Sequence, residues 1–227
     1  MKRALVIGGS GGLGRSVVEV FKSNWSVTSI DFGENSSATT NILLSPSKSF
    51  SAYANTCRVN LTSKFDAIIC VAGGFGMGPI SDPEVFEQLD KMLSVNLYPA
   101  ILAGHLACSF LNEEGLLVLT GAAAAFKDVT PGLLAYGLSK TATHSLALNL
   151  AKREGLPSNC TVATLLPDMI DTPGNRSAMP DADFSKWTNP NSVAGLVKMW
   201  AEGYNRPANG SFAHLKWENN QVIPEFL

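Results

Sequence analysis

Residues 4–7 read ALVI, and the chain then turns through GGSGGLGRS before an amphipathic stretch begins near Gly14. A strand, a turn with glycines at 8, 9, 11, 12 and 14, and a helix are thus implied within one short segment. Glycine suits such a turn because the backbone bends tightly and can approach a pyrophosphate closely. The helix N-terminus adds N–H groups and the positive end of a dipole. By itself the motif is a weak signal, so the remainder of the chain decides what it means.

Apolar, β-branched runs recur at 26–31 (SVTSID), 65–73 (FDAIICVAG), 115–121 (GLLVLTG) and 160–167 (CTVATLLP). Helical spacing separates them over 14–24, 82–111, 135–154 and 191–204, with a shorter strand at 41–44 and a helix of uncertain limits behind it. Strand alternating with helix implies parallel pairing through right-handed crossovers. The predicted architecture is α/β, a Rossmann-like doubly wound parallel sheet in a single domain over 1–227. The segment from Met169 to Ser192 is irregular and proline-bearing, the kind of stretch that serves as a functional loop. Within it, Met169 to Trp187 follows Pro167, where the carboxyl edge of the sheet opens, and is placed to cover a bound ligand or to form a fixed surface loop.

Composition narrows the function. The 227 residues include 16% charged and carry a formal net charge of −2, which argues against nucleic acid or an electrostatic membrane anchor. The apolar run behind Lys2 and Arg3 is too short for a secretory leader, and no apolar run approaches the length of a membrane span. Cys57, Cys70, Cys108 and Cys160 form no CxxC pair and read as reduced thiols in a cytoplasmic protein. His105, His144 and His214 lie far apart, so no metal is expected.

Three further places carry chemistry. Asp31 ends the second strand, 17 positions after Gly14, where a carboxylate can accept from ribose hydroxyls and repel a 2′-phosphate. That favours NADH, with NADPH weaker; a simple turn cap is the plainer alternative. Arg15 is expected to face solvent or the pyrophosphate. The run VAGGFGMGPI lets the backbone pass close to a ribose or nicotinamide, with Phe75 as a planar side chain among Gly73, Gly74, Gly76 and Gly78. Tyr136 and Lys140 are spaced i, i+4 and share one helix face, so an ammonium next to the phenol is expected to lower its pKa and ready it to give a proton.

Taken in order, these parts resemble the short-chain dehydrogenase/reductase family across nearly the whole chain. Its leading TGxxxGxG appears here as Ile7-Gly8 with Gly12 and Gly14, and its NNAG as Cys70-Val71-Ala72-Gly73. The resemblance implies Tyr136 and Lys140 as catalytic residues. It implies cofactor contacts from Gly8, Gly12, Leu13, Gly14, Asp31, Ala72, Gly73, Gly74, Asn96 and Pro167 as well as that pair. The family's active-site serine falls at Ala123, and it is absent. The segments NWSVTSID, TPGLLAYGLSK and LPDMIDTPGNRSAMPDADFSKW are most similar to a branch that reduces quinonoid dihydropterins with NADH and works as a cytosolic dimer. That similarity implies a small pterin substrate, Phe75 packing against it, and a homodimer, for which the apolar faces of 82–111 and 135–154 are suited. Two other readings stand beside it. One is an ordinary NADH-dependent carbonyl reductase with Thr120 or water in the serine's role, and the other is a non-catalytic NADH-sensing regulator.

Overall fold

A computed structural model describes residues 1–46 and 48–227. In chain order the elements are β1 (Arg3–Ile7), α1 (Gly12–Phe21), β2 (Ser26–Asp31), β3 (Thr40–Leu43), α2 (Phe50–Asn60), β4 (Phe65–Cys70) and α3 (Val85–Met92). A π-helical turn at Leu93–Leu97 leads into α4 (Tyr98–Phe110), β5 (Leu111–Thr120), the short α5 (Ala124–Lys127) and α6 (Leu134–Leu150). The chain finishes with β6 (Thr161–Pro167), α7 (Pro173–Ala178), a 3₁₀ turn at Phe184–Lys186, α8 (Pro190–Glu202), β7 (Ser211–Glu218) and β8 (Gln221–Phe226).

Among the described residues eight strands form one sheet in the order β3-β2-β1-β4-β5-β6-β7-β8, parallel except for the antiparallel β7–β8 pair. Strand alternation divides the core into two faces. Leu5, Ile7, Ile68 and Leu117 meet α2, α4 and α6 through Cys57, Leu102, Leu106 and Ala147. Ala4, Val6, Ile69 and Val118 meet α1 and α8 through Val17, Phe21, Val197 and the fully buried Trp200. Inner strands covered on both sides are mostly apolar, which is why β1 and β6 read as near-continuous apolar runs, with Thr161 and Thr164 the buried polar positions of β6. Strand order reverses between β1 and β4, and at such a reversal the loops beyond the carboxyl ends part and leave a crevice.

The predicted doubly wound sheet is present, with three differences of detail. The periodicity from 82 to 111 predicts one helix; the structure has α3, a π turn and α4, with β5 beginning at Leu111 rather than 115. Joined end to end, Val85–Phe110 makes a 26-residue helical run with an 18-residue window of mean hydropathy 1.3, long and apolar enough to cross a membrane, where none of that length is expected from the sequence. Its place in this fold is against the sheet, with Ala100, Leu102, Ala103 and Leu106 in the core. The β7–β8 hairpin is the third difference. In β7, Ala213, Leu215 and Trp217 alternate with His214, Lys216 and Glu218, and Asn219 and Asn220, at φ 52° and 61°, form the left-handed two-residue connection that suits a tight hairpin.

Candidate active site

A cleft of about 600 Å³ lies beyond the carboxyl ends of β1, β4, β5 and β6. Its floor is the glycine turn. Gly8 has φ +88°, and a Cβ there would stand 2.5 Å from the backbone nitrogen of Ala72. Gly14, in the first turn of α1, packs directly against the Gly8 carbonyl, so that even a methyl would overlap that oxygen. Both glycines are required by close backbone approach, and the result is a cradle open to a flat or extended ligand.

Asp31 reaches this turn from the end of β2. Its Oδ2 accepts from the Ser10 N–H at 2.8 Å and its Oδ1 from the Phe32 N–H at 2.7 Å. The carboxylate therefore caps its own turn while also lining the cleft, and each oxygen keeps lone pairs for a ligand hydroxyl. Arg15 is exposed and donates to the Ser10 carbonyl at 2.8 Å, which stiffens the turn. Phe32, Phe50, Tyr53 and Leu44 add an apolar wall at this end, with ring centroids 5.8 Å apart in the edge-on Phe32–Tyr53 pair and 5.0 Å apart in Phe50–Tyr53. Sequence reading does not single out this wall, although Phe32 directly after Asp31 is a usable signal.

The second glycine turn is tied to the helix that carries Tyr136. Asn96, in the π turn and 1% exposed, accepts from the Gly74 N–H at 2.9 Å through Oδ1. Its Nδ2 donates to Ser139 Oγ at 3.0 Å, and that hydroxyl donates to the Tyr136 carbonyl at 2.7 Å. One buried relay thus fixes the loop bearing Phe75 relative to α6. Phe75 and Tyr136 meet edge to face with ring centroids 5.1 Å apart. A π turn where two segments must register is a frequent functional device, and nothing in the local composition announces it. Ser139, a member of the relay, is invisible to motif reading for the same reason.

Lys140 is 3% exposed and donates to the Thr120 carbonyl at 2.9 Å, with Nζ 6.0 Å from the centre of the Tyr136 ring. Burial pushes its pKa down to about 8, and burial pushes the Tyr136 phenol up to about 12. The expected lowering of the tyrosine by its lysine is therefore not what this cleft shows. Desolvation disfavours both charged forms, and the ammonium is engaged elsewhere at this range. Tyr136 is held as a neutral phenol, the form that has a proton to give.

At the place of the missing hydroxyl, Ala123 is 1% exposed and its N–H donates to the Pro167 carbonyl at 3.1 Å. The cleft wall here consists of Thr120, Gly121, Ala122 and Ala124. Thr120 Oγ1 donates to the Cys70 carbonyl at 2.9 Å, so its proton is already engaged and it does not stand in for a serine.

Of the residues the sequence points to, the cleft is lined by Gly8, Gly12, Leu13 and Asp31 from the first half, by Ala72, Gly73, Gly74 and Phe75 from the second turn, and by Tyr136, Lys140 and Pro167. Gly14 and Asn96 stand behind the wall and act through Gly8 and Gly74. The 169–192 segment is built rather than loose: Ile170 bridges Thr188, Thr172 caps α7, and Asp171 pairs with Arg176. Ile170, Thr172 and Asn175 face the cleft, with Thr172 against Gly12.

Comparison with known proteins agrees with this geometry. The short chain dehydrogenase family matches residues 2–183. Dihydropteridine reductase of Dictyostelium discoideum is 41% identical over 226 residues, covering 98% of this chain and 96% of that protein. A short chain dehydrogenase family protein from Francisella tularensis superposes with a TM-score of 0.78 at 22% identity, over 94% of this chain and 96% of the other. A short chain dehydrogenase from Burkholderia cenocepacia, solved in complex with NADP, gives 0.77 at 24% identity over 95% and 96%.

Proposed function

The chain belongs to the short chain dehydrogenase family, and from that premise we propose that it reduces quinonoid dihydropterins to tetrahydropterins, using NADH in preference to NADPH. The observation that carries this reading is the alanine wall. A ketone reductase needs a second hydroxyl to hold the substrate oxygen as charge develops on it, and such a preorganised donor is worth a large factor in rate. Ala122 to Ala124 supply none, and the Thr120 hydroxyl is engaged. A quinonoid pterin is a conjugated, electron-poor acceptor that spreads charge over its ring, so one well-placed acid suffices. The 41% identity to a dihydropteridine reductase supports the same substrate class.

The residues fit the cofactor. The glycine cradle accommodates a pyrophosphate, Asp31 offers acceptors to ribose hydroxyls, and Lys140 lies beside Gly73 where a second ribose would sit. Bound NADH supplies the hydride to the pterin ring. Tyr136 donates the accompanying proton from its neutral hydroxyl, which balances the two-electron reduction. Lys140 holds the α6 end of the cleft to β5 through Thr120, and Phe75 offers an apolar ring on which the pterin lies.

Two results test the parts separately. Asp31→Ala is expected to shift the kcat/KM ratio toward NADPH by about tenfold, since one repulsive charge near a phosphate is worth roughly 1–2 kcal/mol at a partly exposed site; an unchanged ratio removes Asp31 from ribose recognition. Phe75→Ala is expected to raise the pterin KM by about tenfold with little change in the KM for NADH, in line with the loss of one aromatic contact. Equal KM values for both substrates in the variant and the parent would place the pterin elsewhere.

The same reading includes a homodimer in a reducing cytoplasm. Tyr98 and Ile101 on α4 and Leu138 and Leu148 on α6 are apolar and exposed, a face suited to a second copy. The thiols of Cys57 and Cys70 are pushed up to about 11 and about 12 by burial, which keeps them protonated and inert.

A further inference from the structure

His214, on β7, is 5% exposed, yet charged groups from three other parts of the fold surround its ring. Nε2 lies 2.9 Å from Asp168 Oδ2, just past β6. Nδ1 lies 2.8 Å from Lys127 Nζ at the end of α5, and 3.4 Å from Glu225 Oε2 on β8, which also pairs with Lys216 at 3.1 Å. An ammonium can only donate, so with Lys127 upon it Nδ1 accepts, and the ring proton on Nε2 is donated to Asp168. The lysine also marks the group as an ion-pair network rather than a set of metal ligands.

This network aims a carboxylate at the cleft. Asp168 lines the same cavity as Ala122, Ala124 and Tyr136, its side chain is 62% exposed, and among the described residues its Oδ1 accepts no hydrogen bond. Only the His214 ring is buried; the charged partners Asp168, Lys127 and Glu225 stay exposed and Lys216 partly so, and exposed ion pairs contribute little to stability, so the ring's main effect is to fix the direction of the Asp168 carboxylate.

We propose that Asp168 is a specificity residue that accepts hydrogen bonds from the N–H edge of the substrate's pyrimidine ring, with His214 and Lys127 as positioning residues. The inference rests on the pterin reading of the cleft. A pterin presents a ring N–H beside an exocyclic nitrogen, a planar pair of donors for which a carboxylate is the strongest protein acceptor. Phe75, Ala122 and Ala124 offer that edge nothing, and burying it unpaired would cost binding.

The test is steady-state kinetics with NADH and a quinonoid dihydropterin for the parent, Asp168→Asn, His214→Gln and the double variant, each with a thermal midpoint. Asp168→Asn is expected to raise the pterin KM by at least about tenfold, a loss of one charge-assisted hydrogen bond, while the KM for NADH stays put. His214→Gln raises it less, and the double variant is no worse than Asp168→Asn alone, as coupled positions require. Should Asp168→Asn not fold, Asp168→Ser reads the same KM. An unchanged pterin KM overturns the inference, as does a lower thermal midpoint with KM unchanged, which would make the network a strut for the β7–β8 hairpin. A rise confined to the NADH KM overturns it too, by moving Asp168 to the nicotinamide. A parent enzyme inert toward pterin defeats the underlying reading, and this one with it.

Discussion

Tyr136→Phe lowers kcat for pterin reduction by about 100- to 10,000-fold, the usual worth of a positioned general acid, and leaves the KM for NADH within about twofold. The variant keeps the ring, so its edge-to-face contact with Phe75 and the Ser139 bond to the residue-136 carbonyl both persist. Only the proton is removed. The effect should be at the upper end of that range because the wall facing the substrate holds alanines and no second hydroxyl is free at Thr120. Stopped-flow oxidation of NADH in a single turnover separates this loss from slow product release. Turnover equal to the parent would remove Tyr136 from the acid's role.

The second large effect concerns the cradle. In Gly14→Ala the added methyl would overlap the Gly8 carbonyl oxygen, a backbone atom that cannot rotate away. Either the first turn of α1 or the loop must shift. Overpacking of this kind costs about 1–3 kcal/mol, and a displaced loop also loses the N–H groups that face a pyrophosphate. NADH affinity is expected to fall by about 100-fold, measured by fluorescence titration, alongside a drop of several degrees in the thermal midpoint. Affinity held at the parental value would mean that the turn does not carry the phosphates. The contrast with Tyr136→Phe is informative: one change reaches the chemistry alone, the other reaches binding and fold together.

Much of this site is legible in the sequence because close approach and chemistry both restrict residue type. Only glycine fits beneath the Gly8 carbonyl, and a tyrosine and a lysine share a helix face at that spacing wherever the helix forms. The strands of the central sheet are legible for a related reason, since burial on both faces favours apolar runs such as Leu116–Leu119, LLVL, in β5. What escapes is whatever depends on partners distant in sequence. Asn96 and Ser139 are 43 positions apart, and nothing in either segment predicts that their side chains join the Phe75 loop to α6. The π turn hides inside a helical periodicity that it barely disturbs. The β7–β8 hairpin is written in the alternation of Ala213, Leu215 and Trp217 with His214, Lys216 and Glu218 and in the Asn219-Asn220 turn, but its place at the sheet edge depends on pairing with β6, distant in sequence. The direction of the tyrosine's pKa is likewise a property of burial, which spacing alone cannot supply: proximity of Lys140 argues for lowering, and desolvation raises the phenol to about 12.

The central claim is that an acid without its hydroxyl partner marks an enzyme for conjugated pterins and not for ketones. It is tested most directly by following NADH oxidation with freshly generated quinonoid dihydrobiopterin beside a panel of simple ketones, with NADPH run in parallel. The account predicts rapid turnover of the pterin, little or none of any ketone, and a preference for NADH. Ketone reduction without pterin reduction would contradict it and make the chain a carbonyl reductase; tight NADH binding with neither activity would make it a cofactor-sensing regulator.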